Sequence, residues 1–219
     1  MRISTDQIRD NDQDKIGVHN ERFDALSNAL SIAGHDSNTI VKKLQNFQVA
    51  IPSWALGAGG TRFGRFGFPG EPSNLEQKID DVGILHALTQ TAGAISLHIP
   101  WDVPNDYGAI KDLAASHDIV FDAVNSNTFQ DQKKAKESFK FGSLSNTNKA
   151  VREQAIAHNI EVIKIGDKLG SKSLTVWLAD GANFPGQSNF QTALQHTQES
   201  LKGIYKTLPD DWKLFIEYK

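Results

Sequence analysis

Residues 94–124 read AISLHI PWDVPND YGAIKDLAAS HD IVFDAV, an apolar run, a polar punctuated turn, an amphipathic stretch and a second apolar run. The two runs, Ala94–Ile99 and Ile119–Val124, are rich in β-formers and bracket a helix expected over about 106 to 116. Strand, helix, strand in so few residues is a βαβ crossover, which joins parallel strands. The same rhythm extends on both sides. Further strands are expected at Phe47–Ile51, Ser173–Leu178 and Lys213–Glu217, and further helices at about 74 to 92, 146 to 170 and 189 to 208. Asn74, Asn146 and Asn189 stand where helix N-caps belong, and Gly93 and Gly170 stand where a left-handed residue would close a helix. The count is five strands and four intervening helices, all within residues 46–219.

Ahead of this lies a helical arm, residues 1–45. Phe23, Leu26, Leu30 and Ile32 recur at helical spacing, and Ile40, Val41 and Leu44 follow after the polar break His35-Asp36-Ser37-Asn38, so 20 to 45 is expected to be helical. The chain ends on a strand with no helix after it. An eight-stranded (β/α)8 barrel needs about 250 residues, so 46–219 is expected to be the N-terminal part of such a barrel, cut after the fifth strand. Such a piece would expose two sheet edges and an apolar interior, and would be unstable alone.

Composition excludes several functions. The 219 residues carry 23 basic and 26 acidic side chains, a net charge of -3, which disfavours a nucleic-acid or anionic-membrane binder. With no cysteine there is no disulfide scaffold, zinc-thiolate site or thiol nucleophile. The opening MRISTDQIRDNDQDK lacks the apolar core of a signal peptide, and no apolar run reaches the roughly 20 residues of a membrane span. A cytoplasmic protein is expected.

Strand ends are where ligands bind in parallel α/β folds, so the chemistry is sought there. Alternation puts Glu217 and Lys219 on one face of the last strand, able to hold a divalent metal and polarise an oxygen, or to form a solvated ion pair. His98 ends its strand, stopped by Pro100. It is either a partner for a substrate hydroxyl or a buried histidine satisfied by backbone. The other six histidines read as surface or packing residues. The loop 54–70 carries six glycines, but Arg62 stands where a dinucleotide fingerprint needs glycine and no Gly-Lys-Ser/Thr is present. It reads as an active-site lid or a subunit contact. Trp54, Phe63, Trp101 and Trp177 could form an apolar wall, with Asp180 and Gly181 just beyond. There is no histidine pair at metal spacing and no Gly-x-Ser-x-Gly elbow.

Four segments together are more specific than any one. Val49–Phe63 (VAIPSWALGAGGTRF), Ser96–Asp102 (SLHIPWD), Thr175–Gly181 (TVWLADG) and Leu214–Lys219 (LFIEYK) resemble, in order, the broad-specificity bacterial L-rhamnose isomerases of the xylose-isomerase-like TIM-barrel group. That resemblance implies an aldose–ketose isomerase interconverting L-rhamnose and L-rhamnulose with two divalent ions, manganese by preference. It implies that Glu217 is a metal ligand, that Lys219 contacts a substrate oxygen and that His98 hydrogen-bonds the sugar. Trp54, Phe63, Trp101 and Trp177 would face the sugar's far end. The remaining metal ligands would lie beyond residue 219, so these residues alone would be inactive, and the full-length protein would be a homotetramer. Two other readings remain: a ketose 3-epimerase of the same barrel group, and a non-catalytic α/β module binding a sugar or protein through the loop at 54–70. A nuclease on this scaffold is disfavoured by the charge balance.

Overall fold

The computed structural model describes residues 3–57 and 69–218. Three helices come first: α1 (Thr5–Gln13), α2 (Ile16–Ile32) and α3 (Ser37–Gln45). Then β1 (Ala50–Pro52) runs into a single 3₁₀ turn, Ser53–Ala55, and α4 (Leu75–Thr89), β2 (Ala94–Ile99), α5 (Tyr107–Ser116), β3 (Val120–Ser126), α6 (Lys149–Leu169), β4 (Ser173–Leu178), α7 (Phe190–Tyr205) and β5 (Lys213–Tyr218) follow. The five strands form one sheet in the order β1-β2-β3-β4-β5, every neighbouring pair parallel. That sequential order separates a barrel from a doubly wound sheet, whose strand order reverses midway. The fold is α/β, the first five strands of a (β/α)8 barrel with four intervening helices and a helical arm ahead of them. Among the described residues no helix is long and apolar enough to cross a membrane.

Register explains which side chains face the core. Ile95, Leu97 and Ile99 of β2, with Leu174 and Val176 of β4, are almost wholly buried and belong to the cluster that includes Ile79, Val82, Ile110 and Val162 of the helices. The other face of the sheet is the barrel interior. Between Ile95–Phe121 and Leu97–Val124 the pairing slips, so two residues of β3, Asp122 and Ala123, stand against one of β2, Ser96. The extra residue lets Phe121 and Val124 both turn to the helices although their spacing is odd. It also returns Asn125 to the interior face beside His98.

The caps explain where helices start and stop. Ser4 and Gln7 close α1 with a reciprocal capping box, a helix that the apolar periodicity does not reveal. Asp36, within the polar break, caps α3, so the stretch 20 to 45 is two helices and not one. Asn74 and Asn189 cap α4 and α7 as expected, and Gly170 closes α6 at φ 89°. Two expectations are corrected. The cap of α6 is Asn148, whose side chain accepts from the Ala150 amide, while Asn146 receives the Asn148 amide one turn ahead. The left-handed residue ending α4 is Gln90 at φ 57°, not Gly93. At Gly93 a Cβ would stand 2.4 Å from the Gln48 side-chain oxygen that accepts the Gly93 amide, so the Gln48 side chain would have to shift to admit one.

Candidate active site

Partners across parallel strands point the same way, so the register places side chains directly. His98, Asn125, Thr175 and Phe215 lie side by side on the interior face, and Trp177 sits beside Glu217 one step nearer the C-terminal strand ends. Glu217 is exposed, and no hydrogen bond or ion pair engages it among the described residues.

Aromatic rings form a continuous row along these strand ends. His98 meets Trp54 edge-on with centroids 5.6 Å apart, lies tilted on Trp101 at 4.0 Å and touches Phe129 at 5.6 Å. Phe129 in turn packs edge-on against Trp177 at 4.3 Å. The row crosses the ends of four consecutive strands. Trp54 is carried by the 3₁₀ turn after β1 and not by the strand itself. Phe63 and Lys219, both expected at the site, lie outside the described residues. A hollow of about 470 Å³ lined by Ser27, Ser31, His35 and Asp36 belongs to the arm, not to these strand ends.

The imidazole at the centre of the row is neutral. Burial among rings pushes the His98 pKa down to about 4, against the opposing pull of Asp102; His158 and Lys78 reinforce the fall. Its Nε2 is buried and has no hydrogen-bond partner among the described residues, so no backbone carbonyl among them satisfies that atom.

Asp102 is not part of the row but bonds residues next to it. One carboxylate oxygen accepts from the Ser53 hydroxyl at 2.5 Å and the His98 amide at 2.8 Å; the other accepts the Lys78 ammonium at 2.7 Å. The Asp102 amide returns a bond to the His98 carbonyl at 2.9 Å, closing the turn that carries Trp101 across the cis Ile99–Pro100 bond.

His158 is a packing residue. From α6 its Nε2 accepts the Asn127 amide at 3.2 Å and the ring also bonds the Ile99 backbone, clipping the ends of β2 and β3 together; burial lowers its pKa. Asp180, just beyond Trp177, is engaged by the segment ahead of α6. Its two oxygens accept the amides and hydroxyls of Ser143 and Ser145 at 2.7 to 2.8 Å, so it anchors the segment between β3 and α6. Phe129 and His158 carried no signal in the sequence, since both lie off the strands and neither belongs to a spaced motif. Among the described residues no three His, Asp or Glu side chains gather as a metal site.

No family model matches the chain. Over 197 residues it is 49% identical to a probable sugar isomerase of Rhizobium meliloti strain 1021, and 48% identical to a probable sugar isomerase of Mesorhizobium japonicum; each alignment covers 90% of this chain and 46% of the relative. The chain thus spans about half the length of the curated relatives it matches. A crystal structure of D-allulose 3-epimerase from Methylomonas sp. superposes with a TM-score of 0.53 at 10% identity, over 78% of this chain and 50% of that one, a likeness of fold. By sequence the chain is a homologue of probable sugar isomerases, and by fold it is part of a TIM barrel.

Proposed function

We propose that the protein is a metal-dependent aldose–ketose isomerase whose substrate is L-rhamnose, with L-rhamnulose as product, and that these residues supply its sugar-binding wall. The observation that carries the reading is the row Trp54, His98, Trp101, Phe129 and Trp177 at the strand ends. Ring faces of this kind cover the C–H surfaces of a sugar and accept a methyl end, while excluding water from the reacting carbons. A neutral imidazole offers one donor and one acceptor to sugar hydroxyls. Burial keeps His98 in that form at all physiological pH values. The relation to probable sugar isomerases supports the same substrate class.

Glu217 fits a metal role by its chemistry: a hard carboxylate on the interior face, unengaged among the described residues and one strand from Trp177. The other ligands are not among the described residues. When bound, two divalent cations, manganese in the family the sequence resembles, would polarise the sugar's O1 and O2 so that hydrogen passes between C1 and C2. Lys219 would add positive charge beside an oxygen becoming anionic. The whole protein is proposed to be a homotetramer in the cytoplasm.

The test assays the complete gene product with L-rhamnose and Mn²⁺, before and after chelation. Ketose should form only with metal, and Glu217→Gln should abolish turnover. Retained activity in that variant removes the ligand role. Epimerisation of ketoses at C3 without any aldose formed would replace the isomerase reading altogether.

A further inference from the structure

Asp102 is 2% exposed, yet it collects donors from three separate elements: Ser53 after β1, Lys78 in α4 and the His98 amide in β2. A buried ion pair is seldom retained for stability, because an apolar group of the same volume serves as well. Its geometry suggests what it does here. Ser53, wholly buried, immediately precedes Trp54, and His98 lies between Trp54 and Trp101. β1 is three residues long, and a single backbone bond, from the Leu56 amide to the Ser53 carbonyl at 3.3 Å, closes the turn that carries Trp54. The carboxylate therefore adds, to the pairing of β1 with β2, a side-chain link between the Trp54 side of the row and the His98–Trp101 side.

We propose that Asp102, acting through Ser53 and Lys78, is a positioning residue that fixes the gap between Trp54 and the His98–Trp101 pair, and so sets the preference for a sugar ending in a methyl over one ending in a hydroxymethyl group. The inference rests on the sugar-isomerase reading above. Asp102 itself touches no substrate. A loosened gap admits water and the extra hydroxyl, so discrimination falls while the chemistry at C1 and C2 is untouched.

The experiment compares L-rhamnose with L-mannose, which differs only by a hydroxyl at C6, in the complete manganese-loaded protein. One added or missing group in an apolar pocket is worth about 10- to 200-fold in kcat/KM. Ser53→Ala, which removes one bond of the set, should lower the rhamnose-to-mannose ratio about five-fold, mostly through a raised KM for L-rhamnose, with Tm changed by a few degrees at most. Asp102→Asn should lower the ratio further, and Ser53→Thr, which keeps the hydroxyl, should recover part of it. An unchanged ratio in an active Ser53→Ala protein, or equal losses for both sugars, overturns the positioning role alone. A wild-type protein that converts neither sugar overturns the isomerase reading and this inference with it.

Discussion

The neutral His98 makes a quantitative prediction about acid. Its pKa lies at about 4 in place of the usual 6.5, because burial outweighs the attraction of Asp102, whose charge is already met by the Lys78 ammonium at 2.7 Å. That depression corresponds to about 3 kcal/mol of preference for the uncharged ring. Between these two values the folded protein binds fewer protons at this site than the unfolded chain does. The stabilising contribution is therefore complete above about pH 6.5, falls as pH drops from there to 4, and is flat below. At pH 4.5 about 2.5 kcal/mol of it should be gone. His158, lowered for the same reason, adds a loss of the same sign. The exposed Asp36 and Asp211 carboxylates, held below the ordinary carboxylate value, lose their contributions at lower pH still. Two measurements check this. An NMR titration of the imidazole C–H resonances should show His98 titrating near pH 4. Urea unfolding from pH 7.5 to 4.5, for wild type and His98→Leu, should show the wild type losing about 2.5 kcal/mol more than the variant. A His98 midpoint near 6.5, or a wild-type-to-variant difference that stays constant across that range, would refute the reasoning.

Two further perturbations test the packing beneath the site. At Gly166 in α6 an added Cβ would stand 2.7 Å from a Val124 methyl and 2.8 Å from the Trp212 ring. Overpacking of about 1–3 kcal/mol should exceed the gain of about 1 kcal/mol in helix propensity, so Gly166→Ala should unfold at lower urea; a stabilised variant contradicts the described contact. Asp180→Ala leaves the Ser143 and Ser145 amides and hydroxyls without their acceptor and should cost about 2–4 kcal/mol. Hydrogen exchange should then show both amides losing protection, whereas unchanged rates would mean that the segment is held by other contacts.

Much of the architecture was legible because it is local. β2 and β4 have the same bounds in sequence and structure, since each is a short apolar run between polar turns. Asn74, Asn189 and Gly170 could be placed because capping depends on a few neighbouring residues. The bulge in β3 was not legible: period-two alternation cannot show an inserted residue, and without it Asn125 would be assigned to the helix side. Nor was Asp102, which reads as one more polar residue in a turn until the fold brings Ser53 and Lys78 to it. The rings at 54, 101 and 177 could be singled out from their places at strand ends. Phe129 and His158 acquire their roles only from neighbours distant in the chain.

The strand order also bears on how the chain is built during synthesis. Each strand pairs with the one made just before it, a few tens of residues earlier, and none is inserted between two already in place. The sheet can therefore grow one βα unit at a time as the polypeptide leaves the ribosome, because each closing loop is short enough to cost little entropy. Asp102 can recruit Ser53 and Lys78 as soon as β2 and the turn after it are released, so the Trp54 and His98–Trp101 sides of the row can acquire their spacing before β3 and its Phe129 have been synthesised.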